Sequence, residues 1–336
     1  MSTQENNFGV GILATSHYLP QNILSNEELC QSLDGVTPPW IIEKTGIKRR
    51  YFVSENENAS DMALSAIRTL LKKNQVDVQD IGLIVVASFS QDYLFPPMSA
   101  KIHKELNASK TCQIFDVNTN CTGLVTALTL AAERMWFDSS IKFSLVIGVE
   151  LLSRFTNKND KDTSIFFGDG ASAVLLGRVS KGFGLIGSKF STDSSTYESV
   201  RLVTGGSHSS NFNGEKNDNA LFIEQNGLAT WKQAITNLPV VMKSLTASLN
   251  LDIQKIDFFI FHQANKMLIE YILKKLKIDE SKSFINVEEI GNTGSASIGI
   301  ALDEAFTKGL IKPNSHLLIA GVGAGFNFGA SLWHVE

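Results

Sequence analysis

Short uninterrupted apolar runs recur along the chain, each followed by a small polar turn and a longer, mostly apolar segment. VDVQDIGLIVVA (Val76–Ala87) ends in one such run, and so does LDIQKIDFFIFH (Leu251–His262). Strands that are apolar on both faces are covered on both faces. Their alternation with helical segments predicts mostly parallel sheets sandwiched by helices, an α/β architecture.

The pattern also repeats. Both stretches carry Asp at the second position, Gln at the fourth and Ile at the sixth, and 175 positions separate Val76 from Leu251. Each follows a helix-like segment, SDMALSAIRTLLKKNQ from Ser60 and WKQAITNLPVVMKSLTASLN from Trp231. Further on, NCTGLVTALTLAAERM from Asn120 parallels GNTGSASIGIALDEAF from Gly291, which sets Cys121 opposite Asn292 at an offset of 171. IKFSLVIGVE from Ile141 parallels IKPNSHLLIAGVG from Ile311, and GASAVLL from Gly170 parallels GASLWHV from Gly329. General likeness of βα units explains the hydrophobicity of these blocks but not their common order and spacing. The chain therefore reads as two related halves, residues 1–180 and 181–336, packed about a pseudo-twofold axis that brings the tips before Cys121 and Asn292 together. Outside the repeat, Ser25 followed by Glu28 is a capping box that opens a helix. The polar stretch Thr204–Asn219 is expected to be an exposed loop.

Composition narrows the function. Of 336 residues, 43% are hydrophobic and 19% charged, with a formal charge of −4, which does not point to nucleic acid or an anionic membrane as partner. No apolar run is long enough to span a bilayer. The start, MSTQENNFG, lacks the basic-then-apolar order of a secretory signal, so a cytoplasmic protein is expected. Three cysteines without a CxxC and six scattered histidines offer neither a disulfide framework nor a metal site.

Three residues carry candidate chemistry. Cys121 stands where a turn becomes an apolar helix, and the positive end of that helix is expected to favour its thiolate. A free cysteine is equally at home as a buried filler. His262 ends a strand run, at the edge where open α/β sheets bind ligands, and a capped or solvated histidine is the plainer alternative. Asn292 precedes an apolar helix, where Asn is also an ordinary N-cap. The repeat is what draws the three together. The glycine-rich GVGAGFNFGAS from Gly321 lacks the lysine of a phosphate loop. Its backbone N–H groups near Ala324, with that of Cys121, suit an oxyanion hole.

In their order, GVGILATSHYLP, WIIEKTGIKRRY, IGLIVVAS, FPP, FFGDGA, FHQAN, GNTGSAS and GAGFNFG resemble the thiolase-like condensing enzymes, in particular the β-ketoacyl-acyl carrier protein synthase III family. The resemblance implies a five-layered αβαβα fold of two pseudo-twofold-related halves and a homodimer, with no cofactor and no metal. It implies that Cys121 takes an acyl group from a thioester, either acyl-CoA or an acyl carrier protein. His262 and Asn292 would hold the carbonyl of a malonyl- or β-ketoacyl-carrier protein while it loses CO2, and the carbanion would attack acyl-Cys121. No cysteine follows Cys121 to act as in the degradative thiolases. By position, Trp40, Lys44, Lys161, Asn265 and Met267 would meet the pantetheine or coenzyme A part, Phe95 the acyl pocket near the dimer partner, and Lys232, Lys274 and Lys275 an acidic carrier protein.

The chain departs from the family in places. Thr119 and Asn120 replace the two small residues before the nucleophile, Ala324 stands within the terminal glycine triplet, and Lys44, Lys161 and Met267 stand where arginines are usual. A lysine does not reproduce a planar guanidinium stack. These departures point from primary fatty acid synthesis toward a specialised pathway, polyketide, dialkylresorcinol- or quinolone-like. Two other readings remain at this level: acyl transfer to oxygen or nitrogen without decarboxylation, with His262 as general base, and a non-catalytic partner subunit.

Overall fold

The computed structural model describes residues 7–203, 205–207 and 221–336; most of the expected loop Thr204–Asn219 lies outside them. The strands are β1 (Phe8–Tyr18), β2 (Asn22–Ser25), β3 (Arg49–Phe52), β4 (Ile81–Ala87), β5 (Gln113–Val117), β6 (Phe143–Glu150), β7 (Gly170–Ser180), β8 (Gly184–Thr192), β9 (Val200–Leu202), β10 (Ile223–Gln225), β11 (Phe258–Phe261), β12 (His316–Gly323) and β13 (Asn327–His334). The helices are α1 (Asn26–Leu29), α2 (Pro38–Thr45), α3 (Ala59–Asn74), α4 (Met98–Leu106), α5 (Gly123–Phe137), α6 (Gly227–Ser248), α7 (Lys266–Leu276), α8 (Val287–Ile290) and α9 (Ala296–Thr307).

The repeat in the sequence is a repeat in topology. One sheet runs β1-β7-β6-β4-β5 and the other β8-β13-β12-β11, in matching order. In both, the inner pairs β4–β6 and β11–β12 are parallel, and β7 and β13 return antiparallel. The place of β5 is taken in the second sheet by a single bridge between Phe259 and Ser283. The shared Asp and Gln positions have one local cause. Asp77 accepts the Gln79 N–H at 2.9 Å and Asp252 the Gln254 N–H at 3.0 Å, each capping a short 3₁₀ turn that feeds β4 or β11. The Ser25–Glu28 capping box is present and opens α1.

Five layers follow from the packing. Helices α3 and α4 cover the outside of the first sheet, α6 and α7 cover the second, and α5 and α9 lie between the two sheets. A helix in the middle layer is covered on most sides, which is why α5 and α9 are apolar nearly all round, with Leu130, Glu133 and Phe137 of α5 left exposed. Leu124, Leu128, Ile298 and Leu302 are fully buried in one cluster with Val85, Val146, Ile260 and Ile319 from both sheets. The N-terminal ends of α5 and α9 open on the same side as the carboxyl ends of the parallel strands. That brings the loops before Cys121 and Asn292 to the boundary between the halves. Among the described residues, no helix is long and apolar enough to cross a membrane.

Candidate active site

Cys121 sits in a 3₁₀ turn, Asn120–Thr122, ahead of α5 rather than on the helix itself. The turn is closed by Thr122, whose N–H and hydroxyl both donate to the Thr119 carbonyl, at 3.2 and 2.7 Å. Asn120 has φ of 49°, a left-handed conformation that Asn tolerates better than most residues. Its Nδ2 donates to the carbonyl of Ala324 at 3.2 Å. The turn lies flush against β12. A Cβ on Gly323 would stand 2.6 Å from the Thr119 carbonyl oxygen and 3.1 Å from the Cys121 nitrogen, so only glycine lets the strands' ends approach this closely.

His262 follows β11 and continues its ladder, donating its N–H to Ala320 at 2.8 Å. Ser297 Oγ accepts the Gln263 N–H at 3.2 Å and meets His262 Nδ1 at 2.7 Å. With Ser297 donating to Nδ1, the neutral ring carries its proton on Nε2. Burial holds the imidazole down at about 4, with the Gly294 backbone pulling slightly the other way, so the ring is neutral at physiological pH.

Asn292 is locked from three sides. Its N–H donates to Phe166 at 2.8 Å, its carbonyl accepts from Gly168 at 2.9 Å, and its Oδ1 accepts the Gly294 N–H at 2.9 Å. The last bond assigns the amide. Oδ1 is occupied, and Nδ2 donates to no other group among the described residues.

Cys121, His262, Asn292 and Ala324 line one cavity of about 120 Å³. Phe166, Phe167, Thr230, Trp231 and Asn265 are among its other walls. A Cβ on Gly321 would lie 3.4 Å from the Cys121 carbonyl oxygen and 3.6 Å from His262 Cβ, so bare backbone separates nucleophile from imidazole. The three residues drawn together by the repeat therefore meet at one place.

The thiol corrects one expectation. Burial pushes Cys121 up to about 12, the Glu150 charge pushes the same way, and its own backbone N–H opposes them weakly. Burial and the Glu150 carboxylate together hold the sulfur toward its protonated form. Its chemistry is therefore an exchange in which the leaving thiolate takes up the proton that Cys121 gives up.

Other expected residues divide. Asn265 borders the cavity, but its Oδ1 caps α7 by accepting the Leu268 N–H at 2.8 Å. Met267 and Lys274 line a wider surface groove that shares Trp231 with the cavity. Trp40 is half-buried on the α1–α2 cluster with Ile41 and Leu33, and Lys44 is exposed and paired with Glu43. Lys161 is exposed, on a loop whose next residue, Asp162, meets the cavity residue Gln225. Phe95 is 85% exposed, beside the exposed Tyr93 and Leu94, and makes no part of the cavity wall in a single chain. Lys232 and Lys274 are exposed. Lys275 is committed elsewhere, donating to the Ile235 carbonyl at 2.7 Å. Sequence reasoning missed Trp231 and Ser297 as site residues, although both lie in segments it had singled out. It also missed Glu150, a carboxylate at the end of an otherwise apolar strand.

Comparison with known proteins gives the family and the fold. Residues 115–194 match the family described as 3-oxoacyl-[acyl-carrier-protein (ACP)] synthase III, and residues 246–335 match its C-terminal family. A β-ketoacyl-[acyl-carrier-protein] synthase III of Caldanaerobacter subterraneus subsp. tengcongensis is 35% identical over 324 residues, covering 96% of each chain. The crystal structure of 3-oxoacyl-[acyl-carrier-protein] synthase III from Aquifex aeolicus VF5 is similar with a TM-score of 0.88 and 29% identity, covering 97% of this chain and 100% of that one. The priming β-ketosynthase from the R1128 polyketide biosynthetic pathway is similar with a TM-score of 0.90 and 25% identity, covering 98% and 96%.

Proposed function

The chain belongs to the β-ketoacyl-[acyl-carrier-protein] synthase III family, a thiolase-fold group of condensing acyltransferases, and from that premise we propose how its own residues carry the reaction. Cys121 Sγ attacks the carbonyl of an acyl thioester. The C–S bond to Cys121 forms, the bond to the carrier sulfur breaks, and the carrier leaves as a thiol. A malonyl thioester on an acyl carrier protein then enters. His262 Nε2–H and Asn292 Nδ2–H donate to its carbonyl, CO2 departs, and the enolate carbon attacks acyl-Cys121. Collapse of the tetrahedral oxyanion, held by the N–H groups of Cys121 and Ala324, releases the β-ketoacyl product and the thiolate, which is reprotonated.

The observation that carries this reading is the polarity of the pair opposite Cys121. Asn292 has its oxygen occupied and its amide protons free, and His262 is neutral with its Nδ1 against the Ser297 hydroxyl, which leaves the Nε2–H side toward the cavity on this reading. Two donors and no strong base suit an enolate made by decarboxylation. They do not suit removal of a proton from an alcohol or amine, which the ester- or amide-forming alternative needs.

Two finer points belong to the same proposal. A second copy of this chain is the partner at β5, an edge strand of the first sheet, beside the exposed Tyr93–Phe95 segment. The carrier protein approaches the mouth near Trp231, where Lys274 lines the adjoining groove. The decisive experiment incubates the protein with an acyl thioester and labelled malonyl carrier protein. The expected result is an acyl-mass adduct on Cys121, lost in Cys121→Ala, followed by CO2 release. CO2 release absent from acylated enzyme would overturn condensation, and wild-type activity in Cys121→Ala would overturn covalent catalysis.

A further inference from the structure

Glu150 ends β6 and is completely buried. Its carboxylate accepts from the hydroxyl of Ser90, and more distantly from Ser88 and the Phe89 N–H at 3.4 Å each. No Lys, Arg or His pairs with it among the described residues. A carboxyl enclosed this way, without a counter-ion and far from solvent, is costly and needs a reason.

Its surroundings supply one. A Cβ on Gly294 would stand 2.7 Å from Glu150 Cγ, so the side chain packs directly beneath the turn whose Gly294 N–H holds Asn292 Oδ1. Ser295, on the same turn, anchors to the Ala87 carbonyl at 2.8 Å, and a Cβ on Gly123, two residues beyond Cys121, would lie 3.3 Å from Ser295 Cβ. The carboxyl thus sits where the ends of β4 and β6, the Asn292 turn and the start of α5 converge. The groups that face it are Ser88, Phe89 and Ser90 from the β4 end and Gly294 and Ser295 from the turn, and its charge acts on the Cys121 thiol near the α5 start. None is cationic, and the other titratable group of the cavity, His262, is neutral.

We propose that Glu150 is a positioning residue of the active site: it ties the Asn292 turn to the strand ends, and its charge sets how readily the Cys121 thiol ionises. Burial raises the carboxyl to about 7, so its charge changes within the working pH range. When Glu150 is neutral, Cys121 loses its proton more easily; when Glu150 is charged, repulsion holds the thiol protonated until a thioester arrives. This rests on Cys121 as the nucleophile, but not on what the enzyme condenses.

The test is the pH dependence of Cys121 alkylation by iodoacetamide, followed by intact mass, in wild type, Glu150→Gln and Ser90→Ala. Glu150→Gln keeps the hydrogen-bonding shape and removes the charge. Its profile is expected to move to lower pH, with alkylation at pH 8 several-fold faster than in wild type. Ser90→Ala weakens the charged form of Glu150 and is expected to move the profile the same way by less, and it decides the matter should Glu150→Gln fail to fold. A folded variant with an unmoved profile overturns the proposal. Because alkylation needs neither acyl donor nor malonyl carrier, that failure is separate from any failure of the condensation reading.

Discussion

Asn120 and Ala324, 204 positions apart in the chain, are joined by a hydrogen bond from the Asn120 amide to the Ala324 carbonyl. The bond crosses from one half to the other beside the nucleophile. It fixes the peptide that follows β12 against the turn carrying Cys121, and in the proposed mechanism it sets the spacing of the two oxyanion donors. Replacing Asn120 by Ala removes this bond and places an alanine at φ of 49°. Each change costs about 1 kcal/mol. Asn120→Ala is expected to melt earlier and to acylate several-fold more slowly in a rapid-quench assay. Equal acylation rates would show that the loop holds itself.

Asn292→Ala separates the two half-reactions. Cys121 keeps its surroundings, so acyl-enzyme still forms. The malonyl carbonyl loses one of two donors, and CO2 release should fall by about 10²–10³. Equal loss in both steps would mean that Asn292 serves the turn and not the substrate.

Two buried groups give stability opposite slopes with pH. His262 is held at about 4 when folded, below its ordinary 6.5. The unfolded chain binds its proton first, so stability is lost as pH falls from about 6.5 toward 4. Glu150 is raised to about 7 from 4.5, so its contribution is full below 4.5 and lost as pH rises through 7. Each is worth up to roughly 3 kcal/mol. In melting scans from pH 4 to 9, Glu150→Gln should remove the decline on the neutral side, and His262→Gln the decline on the acid side.

Lys275 answers a backbone defect. Pro239 inside α6 has no N–H, so the Ile235 carbonyl lacks its helical donor, and the Lys275 ammonium fills the place at 2.7 Å. Lys275→Ala is expected to destabilise the protein by about 1 kcal/mol in urea melts with no carrier protein present. The exposed Lys274 is the control, and Lys274→Ala should leave the melt unchanged.

The Tyr93–Phe95 segment is apolar and 67–85% exposed in one chain. Phe95→Ser and Leu94→Ser together should shift light-scattering mass from two copies toward one. A wild-type monomer at micromolar concentration would remove the case for pairing through this face.

What the sequence determined was periodic and local. Apolar runs, capping residues and a spacing repeated across 175 positions are set within single segments. Two copies of one pattern bury their shared faces in only a few ways, so sheets sandwiched by helices and the meeting of Cys121, His262 and Asn292 were legible before any coordinates, while the five layers were implied by the resemblance to the condensing enzymes. What only tertiary structure decided was the environment of each group. The Cys121 thiol is raised by desolvation and by Glu150, and both depend on what encloses it. Lys275 is spoken for because α7 lies against a proline-broken bond in α6. Glu150 belongs to the site because Gly294, 144 residues later, leaves room for it. Such properties arise from distances between segments remote in sequence, and a linear pattern carries no record of them.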